Sequence, residues 1–183
     1  MKFVRFLLFP FAILYDLITS IRNFFFNSGF LKETSFQTPI IVVGNLNVGG
    51  TGKTPQIEYL VRLLKDVYKI SVLSRGYKRK TNGFQLANLS STAESVGDEP
   101  FQFYKKFADI IVSVGEDRQH AIEQLLKLDK APEILLLDDA FQHRKVKAGL
   151  NILLTSYSVV YVFQVAIYQQ VQRMVRQHIK TVK

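Results

Sequence analysis

The amino-acid sequence predicts an α/β fold: an open, mostly parallel sheet with helices on both faces, preceded by an amphipathic amino-terminal helix. Three observations predict it. From residue 39, short apolar β-branched runs alternate with stretches of helical periodicity. A glycine-rich segment ending in Gly52-Lys53-Thr54 separates the first such run from the first helix. Residues 3–26, FVRFLLFPFAILYDLITSIRNFFF, space their apolar side chains as a helix does.

Composition bounds the rest. The chain has 183 residues, of which 48 % are apolar, enough for one ordinary domain and too many for a disordered chain. It has no Cys, which excludes a disulfide framework, a thiolate zinc site and a cysteine nucleophile. Lys and Arg number 24 against 15 Asp and Glu, a net charge of +9. Such a balance suggests an anionic partner: nucleic acid, a membrane surface or a phosphate-bearing ligand. Residues 156–183 carry Arg173, Arg176, Lys180 and Lys183 with no acid, and Lys69, Arg75, Lys78, Arg79 and Lys80 form a second acid-free cluster. With no RNP-type aromatic motif, zinc-finger spacing or basic reading helix, nucleic acid is the weaker reading.

The first 34 residues read as one element. A spanning helix needs roughly 20 consecutive apolar residues. Here the longest charge-free run lies between Arg5 and Asp16 and contains Pro10. That is too short to span. Lys2 and Arg5 could open a signal peptide, but no small-x-small cleavage site follows. Arg5, Ala12, Asp16, Thr19, Asn23 and Asn27 fall near one helical face, and Leu7, Leu14, Ile18, Ile21 and Phe25 populate the others. Flanked by Lys2, Arg5 and Arg22, this pattern suits a helix lying in a bilayer interface. A helix buried on its own domain is the alternative.

Residues 35–155 read as the sheet domain. Strands are expected at Ile40–Val43, Ile70–Leu73, Ile110–Val114, Ile134–Leu137 and Asn151–Leu154. Helices are expected at Pro55–Tyr68, with Ile57, Leu60, Val61 and Leu64 inward, at Asp117–Leu128, and after Pro100. Ligands of such sheets bind beyond the carboxyl ends of the strands.

The segment Asn47-Val48-Gly49-Gly50-Thr51-Gly52-Lys53-Thr54 sits at one of those ends. It is close to the P-loop pattern G-x-x-x-x-G-K-[ST], with Asn47 in place of the first Gly, so the expected class is P-loop NTPase-like. Glycines let backbone N–H groups curl around phosphate oxygens, and the helix N-terminus adds partial positive charge. Lys53 would reach the β- and γ-phosphates and Thr54 would ligate Mg²⁺. Such a loop needs a metal-side carboxylate at the end of a neighbouring strand. Asp138 and Asp139 stand where the run Ile134–Leu137 stops, although a solvated turn would look the same. Asp98 is a third candidate, and an N-terminal helix cap is its bland alternative. His120, His143 and His178 show no metal-ligand spacing, though His143 could line the Asp138-Asp139 crevice.

Taken together, the pieces Val43-Gly44-Asn45, Asn47 to Pro55, Ser74-Arg75-Gly76-Tyr77, Val96-Gly97-Asp98-Glu99-Pro100 and Asp138-Asp139-Ala140-Phe141-Gln142-His143-Arg144 resemble the amino-terminal part of the tetraacyldisaccharide 4'-kinase family. They stand in family order over residues 1 to about 155. The resemblance implies ATP- and Mg²⁺-dependent phosphorylation of the 4'-hydroxyl of a lipid A disaccharide 1-phosphate, giving lipid IVA, at the cytoplasmic face of the bacterial inner membrane. It places Asn47 to Thr54 and Gln142 at the nucleotide, and Thr54, Asp138 and Asp139 at the metal. Asp98 becomes the acid that receives or orients the acceptor's hydroxyl proton, together with a His from the family's second lobe. Arg75 and the basic run after it suit the acceptor's phosphate or anionic headgroups by charge. Partitioning or targeting ATPases share the Gly-Gly-x-Gly-Lys-Thr core but carry a Lys at the start of the loop, where this chain has Asn47 and Val48.

Residues 156–183 depart from the family. The resemblance leads one to expect a Pro-x-Gly-x-Leu-Arg-Glu segment soon after Leu154, yet this stretch contains no Gly, Pro or acid. Codons for Phe163 to Tyr168 read one base later can spell Pro-Gly-Gly-Asn-Leu, so a frame slip near residue 156 is the expectation. A natural helical tail over Val165–Val182 is the alternative. On either view the function has its own alternative: a nucleotide-binding, membrane-associated fragment that transfers nothing.

Overall fold

A computed structural model describes residues 2–45, 52–140 and 144–154. The chain divides into two compact units, Met1–Thr34 and Ser35–Lys183.

The first unit is built on α1 (Lys2–Asn27), a 26-residue helix that continues through Pro10. It ends in a turn closed by Gly29 at φ 76°, with Leu31 N–H donating to Phe25 O at 3.0 Å. Only glycine adopts that left-handed backbone without penalty. Phe25 packs edge-on against both Phe24 and Phe30 at ring separations of 6.2 and 6.0 Å. Ile13, Leu14, Tyr15, Leu17, Ile18, Ile21, Phe24 and Phe25 are all exposed. Among the described residues no helix is long and apolar enough to cross a membrane.

The second unit contains β1 (Ile40–Asn45), α2 (Lys53–Leu64), β2 (Ile70–Ser74), β3 (Gln85–Leu86), α3 (Ala93–Val96), α4 (Asp98–Lys106), β4 (Ile111–Val114), α5 (Arg118–Leu126), β5 (Ile134–Asp138) and β6 (Leu150–Leu154). The strands form one sheet in the order β3-β4-β2-β5-β1-β6. Every pairing is parallel except that of β3 with β4. The mostly parallel α/β class read from the sequence is the one found.

Period-two alternation splits the core between the two faces. Ile41 and Val43 face Ile57, Leu60, Val61, Leu64 and Phe103 of α2 and α4. Ile40 and Val42 join Ala121, Ile122 and Leu125 of α5 on the other face. Both faces are covered, so β1 and β5 read as unbroken apolar runs. Each such side chain fully buried contributes roughly 1.5–3 kcal/mol.

Several boundaries differ from the sequence expectation. α2 begins at Lys53, two residues before Pro55, and stops at Leu64, where the N–H groups of Val67 and Tyr68 both fold back on the Leu64 carbonyl. α4 opens at Asp98 with Gly97 as its cap, before Pro100, which therefore lies in the first turn, where its missing N–H costs nothing. β3 is too short for any periodicity, and α3 is a single turn marked only by the reciprocal Thr92–Ser95 capping box.

Candidate functional site

The strand order sets the carboxyl ends of β1, β5 and β2 side by side. Val43 of β1 is in register with Asp138 of β5, and β5 pairs in turn with β2. β1 leads into Leu46–Thr51, and Gly52, at φ 83°, caps α2 without a side-chain hydrogen bond. No acid of α2 itself occupies its first turn, where the helix dipole favours negative charge.

Lys53, on that first turn, places Nζ 2.9 Å from Oδ1 of Asp139. Asp139 holds a left-handed backbone at φ 51° and donates its N–H to Val43 O at 3.0 Å. Aspartate is one of the few non-glycine residues that tolerate this conformation. The tight turn lifts the Asp139 carboxylate into solvent at the end of β5, while Asp138 stays buried at 4 % exposure. Oδ2 of Asp138 accepts a hydrogen bond from Ser74 Oγ at 2.9 Å. Burial, and then the charge of Glu99, push the Asp138 carboxyl up to about 6, against the opposing pull of Ser74 and Lys53.

Thr54 donates its hydroxyl to Oε1 of Glu99 at 3.2 Å, which ties the first turn of α2 to that of α4. Further along, Lys106 Nζ meets Glu58 Oε2 at 2.6 Å and the Arg62 guanidinium lies 5.2 Å from the Phe107 ring centre. Asp98 is exposed beside Glu99. It is not the helix cap: Gly97 is, at φ 95° and ψ 156°, and it makes no side-chain capping bond. A side chain at Gly97 would meet Gly76 Cα and Tyr77 O at 3.2 Å. The loop after β2 and the start of α4 therefore touch backbone to backbone.

Arg118 is the buried cation of the site, at 2 % exposure. Its Nη2 donates to Asp138 O at 3.0 Å and its Nη1 to Gly115 O. Burial brings its pKa down to about 10, opposed first by the charge of Asp138.

Sequence reasoning placed Lys53, Thr54, Asp138 and Asp139 together at one end of the sheet, and the structure brings them there. It passed over Ser74, Glu99 and Arg118 as site residues, although Glu99 lay within the Gly97–Pro100 piece. Asn47, Val48, Gly49, Gly50, Thr51 and Gln142, with His143 and residues 155–183, lie outside the described residues. The five-residue basic cluster does not survive folding. Lys69 precedes β2 while Arg75 follows it, at opposite strand ends. Arg79 pairs with Glu116, and Lys80 with Glu94 at 2.8 Å. Arg75 and Lys78 remain exposed at the carboxyl end.

The donor set suits a nucleotide-borne Mg²⁺. Among the described residues no three acids or histidines form a metal cage. Mg²⁺ on phosphates asks for less: one or two carboxylates, a hydroxyl and water, all hard oxygen donors. Thr54 Oγ1, Asp138 and Asp139 supply that set.

Residues 4–162 fit the family model for tetraacyldisaccharide-1-P 4'-kinase. A tetraacyldisaccharide 4'-kinase of Flavobacterium psychrophilum is 65 % identical over 162 residues, which is 88 % of this chain and 47 % of that one. Its namesake from Bacteroides fragilis is 58 % identical over 151 residues, covering 82 % and 40 %. The crystal structure of "apo" form LpxK from Aquifex aeolicus in complex with ATP matches with a TM-score of 0.75 at 44 % identity, covering 82 % of this chain and 48 % of that one. The chain thus spans less than half the length of these relatives.

Proposed function

The chain belongs to the tetraacyldisaccharide-1-P 4'-kinase family, and from that premise we propose that the protein transfers the γ-phosphoryl group of ATP to the 4'-hydroxyl of a lipid A disaccharide 1-phosphate, giving lipid IVA. In this reaction the acceptor oxygen bonds to the γ-phosphorus, the β–γ bridge breaks, and the hydroxyl proton passes to the protein. The observation that carries the reading is the meeting of Lys53 with Asp139 at 2.9 Å, beside a buried Asp138, where β1, β5 and α2 converge.

Each residue then has a task. By the loop pattern, Asn47 to Thr54 would bind the phosphates through backbone N–H groups ahead of α2, and Lys53 would neutralise their charge. Thr54, Asp138 and Asp139 would hold Mg²⁺, which when bound offsets phosphate charge. Gln142 is assigned to the nucleotide by the family motif in which it stands. Asp98, exposed at the start of α4, receives or orients the acceptor's proton. Little covalent chemistry falls to the protein, so positioning dominates. Arg75 and Lys78 suit the acceptor's 1-phosphate. The exposed apolar residues of α1 support peripheral seating in the cytoplasmic face of the inner membrane, where the acceptor's acyl chains reside.

The want of a Pro-x-Gly-x-Leu-Arg-Glu segment in residues 156–183 favours a second reading, in which this chain binds nucleotide without transferring it. One assay separates the two. The purified chain is incubated in detergent micelles with the disaccharide 1-phosphate, Mg²⁺ and ATP radiolabelled at the γ-phosphate. Label on the lipid as a bisphosphate supports the kinase; bound nucleotide with unlabelled lipid supports the second reading. Absence of both contradicts the functional assignment for this chain.

A further inference from the structure

Arg118 breaks two rules at once. It is a cation at the first position of α5, where the helix dipole disfavours positive charge, and it is almost wholly buried. Among the described residues no carboxylate forms a direct ion pair with it, and its Nε is buried without a partner. A buried guanidinium satisfied only by backbone is an expensive way to fill space. Local violations of this kind concentrate where function demands them.

What the guanidinium touches gives the reason. One arm donates to Gly115 O, just past β4, and the other to Asp138 O at 3.0 Å. The second bond falls on the peptide that joins Asp138 to Asp139. That peptide is where β5 turns into the left-handed backbone of Asp139, φ 51°. On its far side the Asp139 N–H is held by Val43 O at 3.0 Å. The peptide is therefore gripped at its oxygen by Arg118 and at its nitrogen by β1. Rotation about it would carry the Asp139 carboxylate away from Lys53 and pull Asp138 away from Ser74.

We propose that Arg118 is the positioning residue of the phosphate-side carboxylates: its guanidinium fixes the Asp138–Asp139 peptide so that Asp139 faces Lys53 and Asp138 faces Ser74. The proposal rests on the nucleotide-site reading above. Arg118 itself touches neither phosphate nor metal. It acts through the peptide, as outer partners of metal ligands do.

The test compares the wild-type chain with Arg118→Met and Arg118→Lys, using two readouts. Amide hydrogen exchange of the ligand-free protein reports the peptide directly. Titration of a fluorescent ATP analogue, with Mg²⁺ and with EDTA, reports the site. In Arg118→Met the Asp139 amide should exchange faster, while the amides of Leu135 and Leu136 stay protected. Apparent Mg²⁺ affinity in the nucleotide complex should fall about 10- to 100-fold, with Mg²⁺-free binding unchanged. Arg118→Lys, which keeps a donor, should recover part of both, and it carries the same test if the Met variant does not fold. Unchanged Asp139 exchange overturns the proposal. So does exchange that rises equally throughout β4 and β5 with binding lost regardless of Mg²⁺, since Arg118 would then be merely structural. A wild-type chain that binds no nucleotide contradicts the functional reading itself; a wild type and a Met variant that bind Mg²⁺–nucleotide equally overturn the proposal alone.

Discussion

Thr54 Oγ1 donates to Glu99 Oε1 at 3.2 Å, joining the residue that follows the phosphate-loop lysine to the residue that follows Asp98. The contact is the first of three along the α2–α4 interface, with Glu58–Lys106 and Arg62–Phe107 below it. The helix bearing the proposed proton acceptor is thus registered against the helix bearing the lysine proposed to bind phosphate. A shift of either would alter the distance that in-line transfer must hold.

Asp138 makes stability depend on pH. Its folded value of about 6 lies above the ordinary 3.8, so the folded state binds the proton more tightly than the unfolded chain does. Stabilisation from the neutral acid is complete below the lower value and is lost as pH rises through the upper one. Denaturant unfolding of the ligand-free chain should lose about 2–3 kcal/mol across that window. Asp138→Asn should flatten this slope and stabilise the protein at neutral pH. An undiminished slope in the Asn variant would count against this account.

Glu99 contributes to that shift by its charge. Glu99→Gln keeps an acceptor for Thr54 but removes the charge that, after burial, does most to raise Asp138, so the Asp138 titration midpoint should move down. Carboxyl-carbon NMR of Asp138 would follow it. A midpoint that stays in place would mean that burial and Asp139 set the value without Glu99.

Gly97 occupies backbone at φ 95° and ψ 156°, a region essentially restricted to glycine, and an added Cβ would press on Gly76 and Tyr77. Gly97→Ala should cost on the order of 1–3 kcal/mol. Gly83→Ala provides the control: φ 75°, with nothing within 4 Å of the new methyl. The Gly97 variant should unfold at clearly lower denaturant. Equal losses would show that the contact between the two loops carries no weight.

Much of this was legible in the sequence, and the exceptions have physical causes. Unbroken apolar runs gave β1 and β5 because both sheet faces are covered, and Asp138 stood out as a charge directly after four such residues. Lys53 and Thr54 were carried by their place at the end of a Gly-rich segment between a strand and a helix, a spacing that suits phosphate binding. Glu99 was hidden because an acid in a first helical turn is ordinary dipole compensation. Arg118 was hidden for a different reason: the contact that matters runs to the backbone carbonyl of Asp138, in another element, which no pattern records. The basic run misleads because neighbours in sequence are not neighbours in space here. Lys69 and Arg75 are separated by the length of β2, about 17 Å at strand rise.

The apolar side chains of α1 should govern attachment to lipid. With Leu17 and Phe24 both changed to Ser, sedimentation with anionic phospholipid vesicles should weaken at least about tenfold, since each large side chain contributes roughly 1.5–3 kcal/mol on burial. Leu17 and Phe24 are 54 % and 65 % exposed, so the fold itself should be unaffected. Undiminished sedimentation would move the membrane contact elsewhere.

The most direct test of the central claim is calorimetric titration of the purified chain with ATP in the presence of Mg²⁺, beside Lys53→Ala. The account predicts saturable one-to-one binding by the wild type, dependent on Mg²⁺ and abolished in the variant. Wild-type binding that is absent, or that persists undiminished without Lys53, would contradict it.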